Sequence, residues 1–408
     1  MTRPLHILLI APSAPPKNSP ESMQVSRFLD TLDQDIRVTL VTTPIVAGWA
    51  WKDSSLAIMR HRVDVITPAL PFHQVTHRVL ANRRLSFLHS PDRDFWITWF
   101  AKYVLRRLPD IPDVIYSRSG SFSAAMLARR IKSMTGRPWL MHLSDPWFGS
   151  PYRPLSSRRK KIDQAQETMC FADADMISLT TEGQADYYRR RYPARAPFIA
   201  VTPNMMPAIH PLQTTVRCQG PMLIVYTGAI HSDRNPETLL EAMSLLCKTA
   251  PEIVDQIQID FYGNISDEIA IAISKSPNCF VHRPVSFDRA KQLQAEADLL
   301  LSIEPDGDNP LLPHFLLSKI VDYLATCKPI LAIALPGSET DRLCRAGLGW
   351  AFAPGSSAAL ADKLVTLFRL FRAGQSLGRS KDLNTSPYRA ETITRDISNK
   401  LFSLVDLG

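Results

Sequence analysis

The 408-residue sequence has no long hydrophobic run and no patterned cysteines. No apolar stretch approaches the roughly 18 residues that a transmembrane helix requires, so a membrane-spanning protein is not expected. The six cysteines form no CxxC pair and follow no paired spacing, which argues against a disulfide framework and favours a reducing, cytoplasmic compartment. The sequence also lacks a repeat with a period of about 20–50 residues, which excludes a solenoid.

The N-terminal segment allows two interpretations. Its apolar stretch, Leu5–Ala11, is short, is interrupted by His6 and ends at Pro12. A secretory signal peptide needs a longer uninterrupted apolar region. We therefore interpret this segment as a first buried strand.

The size of the chain predicts more than one domain. Apolar residues make up 45% of it, which is enough for packed cores, and its length exceeds what a single core usually supports. We predict one domain over residues 1–204 and a second over 205–389. A C-terminal helix at about 390–408 is expected to pack back onto the first domain.

Positive charge is concentrated in the first half of the chain. Residues 1–204 carry 28 lysines and arginines against 17 acidic residues, a net of +11, whereas the remainder carries −3. Clusters such as Arg158–Lys161 and Arg189–Arg191 contribute to the excess. Such clusters are usually solvated helix faces, and the functional alternatives are an anionic membrane surface or a phosphorylated acceptor. No recognisable nucleic-acid-binding module accompanies the charge, so nucleic acid is not expected as a partner.

Strand-like and helix-like segments alternate in both halves. Buried strands are predicted at His6–Ala11 and Trp139–Leu143 in the first half, and at Met222–Tyr226, Ile257–Tyr262 and Asp298–Ile303 in the second. Such alternation predicts βαβ units and parallel sheets. The expected fold is α/β, with two Rossmann-like, doubly wound domains facing across a cleft. Ligands of such sheets bind outside the carboxyl ends of the strands.

A short helix in the second half carries a cation and a carboxylate on one face. Ser318 is a good N-cap, and Lys319–Ala325 follows without a helix breaker. At 100° per residue, Lys319, Asp322 and Tyr323 share the face opposite the apolar side chains. The pairing suits a ligand that carries phosphate and hydroxyl groups, although an ordinary solvated face gives the same pattern.

Two predicted strands in the second half end in glycine. Gly228 follows the strand Met222–Tyr226 after one residue, and Gly263 directly follows the strand Ile257–Tyr262. A glycine at a strand end lets backbone approach an anion closely, and the next helix N-terminus attracts negative charge. Arg234 would add a bidentate phosphate donor. A tight strand-to-helix turn is the alternative reading of each glycine.

A series of motifs in the second half resembles a known family. The sequence is similar to retaining glycosyltransferases of the GT-B fold, in glycosyltransferase family 4. The resemblance is clearest from about Met222 to Leu370, where the motifs occur in the family's order. They are Tyr226–Ile230, Asn235–Ala242, Ile259–Gly263, Ala297–Ser302, Ser318–Ala325, Lys328–Leu331 and Pro336–Glu339.

The resemblance implies a nucleotide-sugar donor in the second domain. Asp322 stands where an acidic residue accepts hydrogen bonds from the donor ribose, and Arg234 and Lys319 stand beside the pyrophosphate. Arg283 and Pro284 correspond to the loop that recognises the base. The complete set of implied donor residues is Gly228, Arg234, Gly263, Arg283, Pro284, His314, Ser318, Lys319 and Asp322.

The resemblance also implies an acceptor, a glycan or a lipid-linked molecule, in the first domain. Asp145 occupies a strand-end position near the reacting sugar, although a structural role as a helix cap or turn residue explains it equally well. Lys17, Asn18 and Ser19 lie in the acceptor-side loop after the first strand. The implied catalytic residues are Asp145, Lys319 and Arg234.

No metal or other cofactor is expected, because the nucleotide sugar is itself a substrate. Asp173 and Asp175 form an Asp-x-Asp pair, but they lie at a helix-to-strand junction and not in a convincing metal site. Lys319 and Arg234 are therefore expected to neutralise the leaving nucleoside diphosphate. Retention of configuration follows from the resemblance alone.

Three departures from the family pattern leave alternatives open. The loop after the first strand has no glycine, Ala229 replaces a frequent pyrophosphate-binding arginine, and His314 stands where an acidic residue is usual. The expected function is glycosyl transfer in cell-surface polysaccharide or glycolipid synthesis, in the cytoplasm or at the inner membrane face. A nucleotide-sugar epimerase on the same fold and a non-catalytic relative are the alternatives.

Overall fold

A computed structural model describes residues 4–46, 52–54, 56, 63–80, 89–151, 156–209, 217–230, 234–378 and 383–406. The chain divides into two units. Unit 1 comprises Met1–Met205 and Pro387–Gly408, and unit 2 comprises Met206–Ser386. Each unit is built on its own sheet.

The sheet of unit 1 has the strand order β3-β2-β1-β4-β5-β6-β7, and every neighbouring pair is parallel. The strands are β1 (His6–Ile10), β2 (Arg37–Val41), β3 (Val63–Ile66), β4 (Val114–Ser119), β5 (Trp139–Leu143), β6 (Met176–Leu179) and β7 (Ile199–Val201). The helices between them are α1 (Pro20–Thr31), α2 (His73–Leu80), α3 (Ala101–Arg107), α4 (Ser123–Thr135), α5 (Ser157–Asp173) and α6 (Glu182–Arg191).

Both faces of this sheet are buried, which is why β1 is apolar along its length. Leu8 and Ile10 join the core on one face, while Ile7 and Leu9 join the core on the other. Successive side chains of a strand point to opposite faces, so a central parallel strand must be apolar at both sets of positions. The continuous apolar signal of β1 therefore follows from its central place.

Unit 2 carries a second parallel sheet, with the strand order β10-β9-β8-β11-β12-β13. Its strands are β8 (Met222–Thr227), β9 (Ile257–Tyr262), β10 (Cys279–His282), β11 (Leu299–Ile303), β12 (Ile330–Ile333) and β13 (Gly349–Phe352). Its helices are α7 (Glu237–Thr249), α8 (Pro251–Val254), α9 (Asp267–Ser274), α10 (Phe287–Glu296), α11 (Ser318–Leu324), α12 (Glu339–Leu343) and α13 (Ser357–Arg372).

The last helix, α14 (Ala390–Asp406), belongs to unit 1. It packs against α1 and places Ile393, Ile397 and Leu401 in the same core as Phe28. Lys400 donates hydrogen bonds to the Val201 carbonyl and the Thr202 hydroxyl, each 3.0 Å long. Both apolar and polar contacts therefore attach α14 to unit 1.

The predicted fold class, α/β with Rossmann-like parallel sheets, is confirmed by these two sheets. Most predicted strand boundaries lie within two residues of the observed ones. Helix α1 begins at Pro20, because Ser19 caps it by accepting a hydrogen bond from the Ser22 N–H at 3.2 Å. In the described part of the chain, no helix is both long and apolar enough to cross a membrane.

Candidate functional site

The candidate site lies at the carboxyl edge of the unit 2 sheet, where the strand order reverses between β8 and β11. Ligands of doubly wound sheets bind at such a switch point, because the flanking connections leave in opposite directions and open a crevice. Gly228 directly follows β8, and Glu304 directly follows β11. These two residues mark the two sides of the switch point.

The glycines that end β8 and β9 lie directly against each other. A Cβ atom on Gly263 would stand 1.8 Å from the Gly228 carbonyl oxygen, and the φ angle of Gly263 is +158°. The Gly228 N–H donates to the Tyr262 carbonyl at 2.9 Å. Only glycine at position 263 allows the two strand ends to approach this closely.

The Lys319 ammonium lies beside Gly228. Its Nζ is 3.2 Å from the position that a Cβ on Gly228 would take, and 3.5 Å from the centroid of the Tyr226 ring. The Nζ atom is buried and has no hydrogen-bond partner among the described residues. Burial lowers the pKa of Lys319 well below its usual value, with a smaller contribution from Arg234. A buried ammonium group without a partner points to an anionic ligand.

Arg234 provides a second cation at this edge. Its Nη1 donates to the Ala229 carbonyl at 2.8 Å, whereas its buried Nε finds no hydrogen-bond acceptor in the part of the chain that the structure describes. The backbone of the loop after β8 therefore holds the guanidinium in place and leaves donor capacity for a ligand.

Glu304 carries a carboxyl group that interacts electrostatically with both Lys319 and Arg234. It is buried and accepts a hydrogen bond from the Thr340 hydroxyl. Burial raises the pKa of Glu304 to about 7, against opposing effects of Thr340, Arg234 and Lys319. The pKa of Lys319 moves down and that of Glu304 moves up, so burial pushes both groups toward their neutral forms. An anionic ligand would reverse that tendency for Lys319.

Sequence reasoning missed Glu304. The motif Ala297–Ser302 ends two residues before Glu304. A single carboxylate after a strand also does not contribute to a periodic pattern of apolar residues. Its place directly after a strand could still have pointed to the site. The carboxyl ends of parallel strands lie at one edge of a sheet, so Glu304 is expected at the same edge as Gly228 and Gly263. A carboxylate directly after a predicted strand is therefore the sequence signal that points to Glu304.

Asp322 and Ser318 lie on α11 with Lys319, and both are half-buried. The prediction that Ser318 is the N-cap is wrong. Leu317 occupies that position, Ser318 is the first helical residue, and no side chain caps the helix. Leu317 has non-helical backbone angles, φ −60° and ψ 136°, so the helix begins one residue earlier than a Ser318 cap would place it.

Tyr323 does not share the face that was predicted for Lys319 and Asp322. It is fully buried, and its hydroxyl lies 3.3 Å from both the Thr227 N–H and the Leu301 carbonyl. The phenol thus joins the end of β8 to the middle of β11. A tyrosine can occupy a core position in this way because its one polar atom finds backbone partners.

Two of the other predicted donor residues lie farther along the edge of the sheet. Arg283 and Pro284 are exposed and follow β10, which is two strands away from β8. His314 is half-buried at the end of a short 3-10 turn, Leu312–His314. The structure therefore brings together Gly228, Gly263, Arg234 and Lys319 and places the base-loop residues apart from them.

The predicted residues of the first domain follow two strands of the unit 1 sheet. Asp145 is exposed, two residues after the end of β5. Lys17 is buried and donates to the Pro12 carbonyl and, at 2.6 Å, to the Thr43 hydroxyl, and burial lowers its pKa to about 8. Asn18 donates to Asp53 at 2.9 Å, and Ser19 caps α1. The side chains of Lys17, Asn18 and Ser19 thus fix the loop itself.

Within the described ranges, no group of three or more His, Cys, Asp or Glu side chains is arranged so that it could hold a metal ion. Asp173 and Asp175, the Asp-x-Asp pair, are bound instead to Arg129 and Lys132 respectively. These two carboxylates therefore stabilise the junction between α5 and β6.

Comparison with known proteins identifies the class of this chain. Residues 33–205 match the model of a glycosyl transferase 4-like domain. Anabaena HepE, solved in complex with UDP and glucose, has a TM-score of 0.66 at 15% identity, over 97% of this chain and 99% of HepE. A glycosyltransferase from Rickettsia africae has a TM-score of 0.64 at 12% identity, over 99% of both chains. Comparison with curated protein sequences finds no match.

A third solved structure agrees with these. Staphylococcal (S. aureus) TarM, in complex with UDP, fondaparinux and alpha-GlcNAc-glycerol, has a TM-score of 0.62 at 11% identity, over 98% of this chain and all of TarM. Likeness at such identities establishes the fold, and the domain match adds the class. The predicted resemblance to GT-B glycosyltransferases of family 4 and the predicted enzyme class, a glycosyltransferase, are confirmed.

Proposed function

We propose that the chain transfers a sugar from a nucleotide-sugar donor to a glycan or lipid-linked acceptor in cell-surface polysaccharide or glycolipid synthesis. The observation that carries this proposal is the enclosed Lys319 ammonium beside Gly228, with Arg234 as a second cation. A diphosphate supplies the oxygens that these groups lack, and a glycosyltransferase places such a diphosphate in its donor.

The choice of UDP as a first probe is supported by the solved structures. HepE has been solved in complex with UDP-glucose, and S. aureus MnaA in complex with UDP. In our proposal the pyrophosphate lies between Gly228, Lys319 and Arg234, and the Asp322 carboxylate accepts hydrogen bonds from the ribose. Gly263, Arg283, Pro284, His314 and Ser318 complete the proposed donor site.

The proposed chemistry is the departure of a nucleoside diphosphate. As the glycosidic bond breaks, negative charge grows on the diphosphate, and the Lys319 and Arg234 cations are positioned to stabilise it. These two groups supply positive charge without a divalent ion, so we expect metal-independent transfer. We propose retention of configuration from the family resemblance alone. Addition of EDTA should then leave the transfer rate unchanged.

The proposed acceptor side is unit 1. Its net positive charge fits a phosphorylated lipid-linked acceptor at the cytoplasmic face of an anionic membrane. Asp145 is assigned to the reacting sugar, and the loop with Lys17, Asn18 and Ser19 to the acceptor. TarM, solved with fondaparinux and alpha-GlcNAc-glycerol, supports a glycan-type acceptor.

A thermal-shift comparison of UDP, GDP, ADP and CMP tests the donor part of the proposal. A ligand that binds only the folded state raises the unfolding temperature by mass action, so one nucleotide should stand out. If none of the four shifts unfolding and calorimetry detects no donor binding, the proposal is wrong. A nucleotide-sugar panel with a polyprenyl-linked acceptor then tests transfer, and sugar interconversion without an acceptor would indicate an epimerase instead.

Donor binding is expected to weaken as the pH rises from 6 to 8. Glu304 is faced by Lys319 on α11, Arg234 after β8, Thr340 on α12 and Cys344 just beyond it. Since the pKa of Glu304 is raised to about 7, this carboxyl becomes an anion only across that range and then repels the pyrophosphate. UDP-glucose should bind about tenfold more weakly at pH 8 than at pH 6.

Titration calorimetry with UDP-glucose measures this effect, because each of its phosphates has one ester and one anhydride bond and keeps its single charge between pH 6 and 8. Glu304→Gln should flatten the pH dependence and bind more tightly than the wild type at pH 8. The exposed Glu252→Gln on α8 is the matched control and should keep the wild-type profile. An unchanged profile in Glu304→Gln would rule out Glu304 as the titrating group.

A further inference from the structure

Helix α2 exposes large apolar side chains on one face. Val75 is 62% exposed and Val79 is 55% exposed, and the two lie about 40° apart at 100° per residue. Phe72, the residue before the helix, is 86% exposed. A soluble surface tolerates single exposed apolar residues, but neighbouring ones mark a contact surface.

Trp99 extends this surface through a series of contacts. The His89 ring donates a hydrogen bond to the Leu80 carbonyl at the end of α2. The same ring stacks on Phe95 with centroids 6.3 Å apart, and Phe95 meets Trp99 edge-on at 5.5 Å. Trp99 is 59% exposed. We call Phe72, Val75, Val79 and Trp99 the apolar patch.

Basic side chains border the apolar patch. The Arg159 guanidinium, in the first turn of α5, donates to the His89 carbonyl and so fixes the start of α5 beside the patch. Its neighbours Arg158, Lys160 and Lys161 are exposed. We call these three residues the basic turn. Positive charge and exposed aromatic side chains thus meet on one region of unit 1.

We propose that the apolar patch and the basic turn dock unit 1 onto an anionic lipid bilayer. Tryptophan and phenylalanine insert at the boundary between headgroups and acyl chains, and valines beside them add apolar area. The basic turn then lies at the height of the anionic headgroups, where each cation strengthens binding roughly fivefold.

The positive charge of the basic turn favours an anionic bilayer over a second copy of this chain as the binding partner of the apolar patch. A second copy of this chain would bring two basic turns and two positively charged units together, which like charges oppose. An anionic bilayer instead complements both the apolar and the basic parts. The inference rests on the proposed function, since a lipid-linked acceptor requires the enzyme to work at a membrane surface, but vesicle binding is measured without the reaction.

Flotation with vesicles tests the proposal. The full chain should float with vesicles that contain phosphatidylglycerol, and not with vesicles of phosphatidylcholine alone. Phe72→Ser combined with Val79→Ser should lower binding by about tenfold or more. Neutralising the basic turn with Arg158→Gln, Lys160→Gln and Lys161→Gln should lower it by roughly 100-fold and weaken its salt dependence.

Matched controls come from unit 2. Ile271 and Phe280 are 57% and 46% exposed, so Ile271→Ser with Phe280→Ser removes similar apolar area elsewhere and should leave vesicle binding intact. All variants should keep wild-type affinity for UDP, which separates this test from that of the donor site. Equal losses in the controls, no flotation of the wild type, or a dimer that forms through the patch without lipid binding would each overturn the proposal.

Discussion

Lys319→Met should weaken donor binding on the order of 100-fold without unfolding the protein. Methionine keeps the length and apolar contacts of the lysine but removes the ammonium that lies beside Gly228. A charge-assisted hydrogen bond to a phosphate contributes about 1.5–3 kcal/mol, and the diphosphate here would lose its most enclosed cation. We therefore expect UDP affinity to fall on the order of 100-fold, and the transfer rate to fall at least as far.

Lys319→Met should not lower the stability of the fold. Burial disfavours the charged form of Lys319, and the thioether of methionine packs well against an aromatic ring such as Tyr226. The unfolding temperature should stay at or above the wild-type value, which scanning calorimetry can check alongside the affinity. Lys275→Met, at an exposed position of unit 2, should change neither quantity. If Lys319→Met and Asp322→Ala both keep wild-type affinity, the assignment of the donor site is wrong.

Gly263→Ala should destabilise unit 2 severely. The new Cβ would stand 1.8 Å from the Gly228 oxygen and 2.5 Å from its carbonyl carbon, which are backbone atoms that cannot rotate away. The ends of β8 and β9 must then separate and break the hydrogen bond between Gly228 and Tyr262. Overpacking together with the strain of the backbone angle should cost about 3–5 kcal/mol.

Urea unfolding of the purified variant measures this cost, and Gly355→Ala provides the comparison. Gly355 has a φ angle of +83°, but a Cβ there would meet no atom within 4 Å. Its substitution should therefore cost only about 1–2 kcal/mol, from backbone strain alone. Equal losses in the two variants would show that the contact between Gly263 and Gly228 does not constrain the sheet.

The sequence predicted the central strands of the two sheets well and did not predict short, partly exposed strands at the sheet edges. β1, β5 and β9 were predicted almost to the residue, because central parallel strands are apolar on both faces. The edge strands β3 and β10 and the last strand β13 were missed. Each has only four residues, and these are partly exposed, so their apolar signal is weak. Helix α2 was missed because its apolar side chains face outward instead of into the core.

The residues of the candidate site were likewise predicted where local patterns identify them and missed where distant segments meet. Lys319, Gly228 and Gly263 were identified from local patterns, a helix face and two strand ends, and the structure brings them together. Tyr323 was assigned to the wrong face, because helical periodicity cannot tell that a phenol finds backbone partners between two strands. Glu304 was overlooked because its interaction with Lys319 and Arg234 joins segments that are distant in sequence. Pairings of this kind appear only once the sheet is assembled.

A crystal structure of the chain with UDP tests the central claim most directly. We predict that the diphosphate lies at the switch point between β8 and β11, with one of its oxygens about 3 Å from the Lys319 Nζ and the Gly228 backbone beside it. The Arg234 guanidinium should contact the same diphosphate. A nucleotide bound elsewhere, or a Lys319 ammonium that stays out of contact with it, would contradict the account.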